Sequence, residues 1–348
     1  MTKRDMTLSP EERLLLTASP HLKSPDSTPK IMWNVVGSLV PIILVAIYYF
    51  GPSAILVMAA AILGALSVEY FFGPKKSLWD GSAVITGILL GLCLPAGFPL
   101  WMAFLSGAFG IGFGKLVFGG LGQNPFNPAL VGRAFLQAAF PTAITTWPST
   151  EMGWGAIRGP NFAVPLWTGE AGADVVTAAT PLGLWKFEGE VTEVFGLMMG
   201  NTGGSLGETA GILILICGGY LAARKYLNWR IPLGIFATVF VFSEILFLIN
   251  GEMFPPPFFM IFSGGLMLGA LYMATDMVTS PVTNVGAWIF AVGIGVLVVL
   301  IRVWGGLPEG VMYAILLMNS LVPFIDRATQ PKVFGHTPPE NKAGEATA

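Results

Sequence analysis

The chain has 348 residues, of which 54% are apolar and only 11% charged, with a mean hydropathy of +0.70. A soluble domain runs near about 45–50% apolar and about 25% charged, so this chain carries too few charges to cover a soluble surface and reads as an integral membrane protein. A net charge of −2 excludes a basic nucleic-acid surface, and two His in polar tails (His21, His336) with two isolated Cys (Cys93, Cys217) exclude a zinc cluster, a CxxC motif and a bis-histidine haem site.

The first 30 residues are polar, punctuated by Ser and Pro and without a signal-peptide pattern, so residues 1–30 are expected to remain as a cytoplasmic tail. A helix needs ~20 mainly apolar residues to cross ~30 Å of hydrocarbon. Ten stretches qualify: 31–50, 53–73, 81–95, 98–118, 127–141, 208–227, 231–250, 257–275, 284–303 and 308–325. The third and fifth are short and bounded by Pro, as in broken or tilted helices. The expectation is an all-α membrane fold with five helices over 31–141, an outer loop over 142–207, five more helices over 208–325 and a cytoplasmic tail over 326–348.

Lys and Arg orient these spans. With the N-terminus inside, 14 of the 18 basic residues fall on inner segments, among them Lys75, Lys76, Lys115, Arg224, Lys225, Arg230 and Arg327. Arg158, Lys186 and Arg302 fall outside, and Arg133 lies within the fifth span. Both termini are thus expected in the cytoplasm. The 142–207 loop breaks the rule of short connections and is functional or disordered; Trp147, Trp154, Trp167 and Trp185 argue for packing.

The loop divides the spans into two sets that echo one another. FGGLGQ (118–123) precedes the fifth span and WGGLPE (304–309) the tenth. Both second spans carry a carboxylate after Ser, in SVE at 67–69 and SE at 243–244. Both third spans are rich in Gly and Leu. An odd number of spans per repeat inverts the second copy, and inverted repeats place sites at broken helices. The alternative is chance likeness among Gly-rich membrane helices.

Within the loop stands Asp174-Val175-Val176-Thr177-Ala178-Ala179-Thr180-Pro181-Leu182. It resembles the D-x-x-[ST]-x-A-T motif on which a flavin transferase esterifies FMN to the last Thr, with Ala178 where Gly is frequent. Asp174, Thr177, Ala179 and Thr180 carry the match, and the resemblance makes Thr180 the acceptor. Its hydroxyl needs the transferase for activation, and Pro181 keeps it extended. The other reading is a plain Thr/Ala-rich loop.

Upstream runs GKLVFGGLGQNPFNPALVGRAFL (114–136). This stretch is similar to the GK-x-x-FGG…N-x-x-NPAL-x-GRAF pattern of one family. That family unites the D-type subunit of the Rnf electron-transport complex with the B-type subunit of the sodium-translocating NADH:quinone oxidoreductase. Span order, the long loop, the flavin motif and a closing LMNSLVPFIDR extend the resemblance over nearly the whole chain. The short N-terminus looks more like the Rnf branch.

The resemblance implies a urea-channel-like fold in a bacterial inner membrane and two flavins: covalent FMN on Thr180 facing outward, and non-covalent riboflavin contacted by Asn124 and Asn127. An Asn amide suits the flavin N3–H and carbonyls; equally, both Asn could only cap a helix. The implied function is an electron relay during ferredoxin/NAD transfer coupled to Na⁺ or H⁺ movement. The implied partners are the other Rnf subunits, above all the outer FMN-bearing one (the G-type subunit), together with the flavin transferase and membrane lipid. The chain is not expected to complete the reaction alone, since it lacks iron–sulfur ligands. The competing class is a urea-channel-like solute channel or transporter, and a third reading is a scaffold without cofactor.

Glu69, Glu244, Asp276, Arg133 and Arg302 lie in or beside apolar runs, where charge is costly and function is the default reading. Arg133 can pair with a carboxylate or help hold a flavin. Glu69 and Glu244 mark an ion path or pair internally to fix packing. The 15 Met are read as packing residues.

Overall fold

The computed structural model describes residues 26–75, 77–148, 155–165, 179–200, 202–208 and 210–331, and they form helices with no strand among them. The first set comprises α1 (Thr28–Phe50), α2 (Pro52–Phe72), α3 (Ser82–Leu92), α4 (Leu100–Ile111), which runs on into a π turn over Gly112–Leu116, and α5 (Pro128–Ala139). Three short helices follow: α6 (Pro141–Ile144), α7 (Pro181–Glu188) and α8 (Val194–Met199). The second set is α9 (Gly211–Ala223), α10 (Arg230–Ile249), α11 (Pro257–Phe262), α12 (Leu266–Leu268) with a π turn over Gly269–Met273, α13 (Asn284–Trp304) and α14 (Val311–Thr329).

Proline writes many of these starts. Six helices (α1, α2, α5, α6, α7 and α11) have Pro in their first turn, where its missing N–H leaves no hydrogen bond unmade. Among the described residues, five helices are long and apolar enough to cross a membrane: α1, α2, α10, α13 and α14. The remaining predicted spans are shorter than expected. The third and fifth become α3 and α5, of 11 and 12 residues. The sixth begins at Gly211 rather than at 208, which leaves Glu208 outside the helix.

The eighth predicted span, 257–275, is not one helix. It breaks at Ser263-Gly264-Gly265, where Gly264 takes φ +63°, a left-handed conformation that only Gly adopts without strain. Its length and hydropathy suit a single helix, but three weak helix formers in a row open it.

The two sets pack alike. In the first, α2 packs on α3 and α4, and α4 on α5; in the second, α10 packs on α11 and α13, and α13 on α14. The closest approach in the first set rests on small residues, with Gly64 against the Phe104 backbone and Gly107 against the Ala61 backbone. Contacts of α1 with α9 and of α5 with α14 join the halves. The linkers carrying FGGLGQ and WGGLPE occupy the same place in both sets, between the fourth and fifth elements.

Parts of the predicted loop pack onto this body. Trp147 is buried, and Trp185 of α7 meets Phe259 of α11 edge-on at 6.5 Å. Asp174 and Thr177 lie outside the described residues, as do Trp154 and Trp167.

Candidate functional site

Two concave sites lie at opposite ends of α5. The first surrounds Thr180, a buried residue that starts α7. Its backbone is extended (φ −72°, ψ 153°), as a residue before proline should be. Its hydroxyl accepts from Gly183 N–H at 3.1 Å and so caps the helix. A Cβ on Gly183 would stand 3.1 Å from this oxygen, so the absence of a side chain there keeps the hydroxyl clear.

Thr180 lines a cleft of about 590 Å³ together with Ala179, Arg133, Gln137, Trp147 and Glu309. Lys186, further along α7, donates to the carbonyls of Arg302 (2.9 Å), Gly305 and Leu307 (3.2 Å). These include orphan acceptors at the C-terminal end of α13, where a cation is favoured. Burial holds the Lys186 ammonium below its usual pKa range. The contact fastens the threonine-bearing helix to the second half of the fold.

Beneath the cleft lies a buried charge cluster. Arg133 of α5 forms an ion pair with Glu309 of the WGGLPE linker. Glu208 approaches the same region at Gly265, in the break between α11 and α12, and its Oε1 is buried without a hydrogen-bond partner. Arg302 of α13 is fully buried and donates to the carbonyls of Met260 and Ser263 (2.9 Å), the frayed end of α11.

The second site is a cavity of about 90 Å³ at the other end of α5, lined by Asn124, Asn127, Lys115, Tyr272 and Asp276 among others. The two Asn have different roles. Asn127 is committed: its Oδ1 caps α5 through Ala129 N–H at 3.0 Å, and its Nδ2 donates to Met273 O at 3.1 Å, tying the halves together. Asn124 donates to Phe126 O at 3.2 Å, but its Oδ1 is buried and has no partner. An unsatisfied buried acceptor costs about 1–3 kcal/mol, which a ligand donor would relieve.

Lys115, counted above among the basic residues of the inner segments, is buried. It lies in the π turn after α4, only 2% exposed, with its ammonium 2.5 Å from Glu69 Oε1, 2.7 Å from Ser82 Oγ and 3.3 Å from Ser77 Oγ. Burial forces the pairing, because a lone charge there is too costly. Glu69 therefore pairs internally. Glu244 is half-buried on α10 and does not join this network.

Three residues in these sites were not singled out from the sequence: Lys115, Glu208 and Glu309. Lys115 stands in the GK of the quoted stretch and Glu309 in the repeated linker, so both carried a signal. Glu208 carried none.

A family model described as the NQR2, RnfD, RnfE family matches residues 15–335. The chain belongs to this family. Among its relatives, the D-type subunit of the proton-translocating ferredoxin:NAD(+) oxidoreductase complex from Clostridium ljungdahlii is 40% identical, over 92% of this chain and 96% of that one. The corresponding subunit of the Na(+)-translocating complex from Acetobacterium woodii is 38% identical, over 94% and 97%. Its counterpart in the ion-translocating oxidoreductase complex from Stutzerimonas stutzeri is 41% identical, over 89% and 93%.

Proposed function

We propose that this chain is the D-type subunit of an ion-translocating ferredoxin:NAD⁺ oxidoreductase complex in a bacterial inner membrane. In this reading it carries FMN on Thr180 and a second, non-covalent flavin in the Asn124 cavity. The observation that carries it is the setting of Thr180: a hydroxyl at a helix N-terminus, in a cleft of about 590 Å³, with no Cβ on Gly183 to crowd it. A phosphoester there would place its anionic oxygens at the start of α7, where N–H groups and the helix dipole favour them.

The polar atoms of the Asn124 cavity also suit a flavin. Asn124 Oδ1 offers the acceptor a ring N–H requires. The cavity is narrow for a tricyclic ring, and Leu121 and Met277 are among the apolar residues on its wall. Flavins supply the electron-accepting chemistry; the protein supplies binding and spacing. Helix α5 sets that spacing, since Gln137 of the Thr180 cleft follows Asn127 by ten residues, ~15 Å of helical rise. Electrons would enter from an outer FMN-bearing partner such as the G-type subunit and pass inward, with Thr180 on the outer face and both termini in the cytoplasm.

The test is flavin fluorescence in denaturing gels after co-expression with a flavin transferase. Wild-type protein should give a fluorescent band that survives SDS, and Thr180→Ala should give none. A wild-type band that stays dark beside an active transferase rejects the covalent flavin. For the second flavin, extraction of the native complex should release riboflavin. Asn124→Leu should lower its yield severalfold; full retention would defeat the assignment to Asn124.

A further inference from the structure

The third and fifth elements of the halves shape the sites, but the fourth elements do something of their own. Each ends in a buried cation. In the first half this is Lys115, three residues before FGGLGQ; in the second it is Arg302, two residues before WGGLPE. The one-residue offset has a structural cause. The π turn at Gly112–Leu116 holds one residue more than α-helical register allows. Lys115 and Arg302 are thus repeat-related, one on the wall of the Asn124 cavity and the other in a small pocket it shares with Arg133 and Glu309 beneath the Thr180 cleft.

Lys115 is oriented. Lys115 lines the cavity together with Ser82, whose hydroxyl is 2.7 Å from its ammonium, whereas its counter-ion Glu69 does not. Ser77 and Ser82 fix the ammonium in place, and Asp80 holds Ser82 through its backbone N–H at 2.8 Å and its hydroxyl at 2.6 Å. The pair is neutral as a whole but turns its positive end toward the cavity. Asp276, the carboxylate on the same wall, is held by its own partners, accepting from Thr279 Oγ1 at 3.3 Å and from Val278 N–H at 3.4 Å.

We propose that the oriented Lys115–Glu69 pair sets the electron affinity of the Asn124 cavity by stabilising the negative charge that a ring bound there gains on reduction. The inference rests on the second-flavin reading above. An electron arriving from the outer cofactor, without a proton, leaves one negative charge in the cavity. A buried cation on the wall favours that state more strongly than a surface cation would, because less water screens it. Lys115 is a positioning and tuning residue and takes no part in bond making.

The test is redox titration of the purified complex, following the non-covalent flavin with the covalent FMN as internal reference. Lys115→Gln should lower the reduced-to-oxidised ratio of the non-covalent flavin about tenfold at a fixed applied potential, about 59 mV for one electron. Lys115→Arg should restore it. Because Lys115→Gln leaves Glu69 buried and unpaired, the double variant Lys115→Gln/Glu69→Gln gives a neutral, hydrogen-bonding alternative. It should shift the ratio in the same direction by a smaller factor, with the FMN on Thr180 unmoved. A double variant that retains riboflavin at an unchanged ratio overturns the proposal. So does loss of riboflavin from Lys115→Gln with retention in Lys115→Arg, which would make the charge a binding determinant. A wild-type complex without riboflavin would instead reject the second-flavin reading itself.

Discussion

At the scale of single residues, Thr180 and Gly183 act as one unit. The Gly183 N–H donates to the Thr180 hydroxyl, and its missing Cβ leaves that oxygen open. Gly183→Ala separates stability from modification. Alanine favours a helix by about 1 kcal/mol over glycine, so the melting temperature should hold or rise. The same methyl crowds the acceptor, so SDS-stable flavin fluorescence per protein should fall. Unchanged fluorescence would show that the open space at Thr180 has no bearing on modification.

Arg133 and Glu309 give a second test at this scale. Removing one partner of a buried pair costs about 3–5 kcal/mol, because the other charge is left uncompensated. Arg133→Gln alone should lower thermal stability clearly, and Arg133→Gln/Glu309→Gln should recover much of the loss in a double-mutant cycle. Additive losses would mean that the pair is not coupled.

At the scale of elements, helices obeyed the sequence wherever apolar length and proline agreed. Helices α1, α2, α10, α13 and α14 run at full length, and Pro181 leaves Thr180 extended. The reading failed where hydropathy and backbone preference disagreed. Residues 257–275 are mostly apolar, but Ser263-Gly264-Gly265 opens the helix so that its carbonyls can accept from Arg302. Lys115 misled for a related reason. The sequence counts this lysine, near the end of the predicted span 98–118, among the cations of the inner segments, whereas a carboxylate 46 residues earlier makes its burial tolerable. Glu69 and Lys115 were both visible in the sequence, but their pairing was not.

At the scale of the whole molecule, the basic residues away from the inner segments have specific partners. All four cations assigned to the outer side or the fifth span are held by the fold. Arg133 is paired with Glu309, Arg302 and Lys186 donate to backbone carbonyls, and Arg158 donates to Tyr49 O at 2.9 Å and sits over the Phe50 ring. None of these four is therefore a free surface cation, and the proposed orientation rests on the basic residues counted on the inner segments. Cys93 and Cys217 are both buried and give little background for thiol labelling. In intact cells or right-side-out vesicles, an impermeant maleimide should label Glu190→Cys beside α7. It should label Arg327→Cys, on the last turn of α14, only after permeabilisation. The reverse pattern would invert the topology.

The linear chain was enough to specify the solvent, the two echoing sets of spans and the family. All of these rest on local composition, periodicity or short contiguous strings. Packing in three dimensions was needed to show that Asn127 is occupied by capping while Asn124 keeps a free acceptor. It also brought Glu309 to the wall of the Thr180 cleft and Glu208 to the region of Arg133, and made Lys115 one end of a buried dipole. The reason is physical. A polar side chain in an apolar body is defined by the partner that offsets its desolvation, and here those partners come from other helices and linkers, up to 176 residues away in the chain.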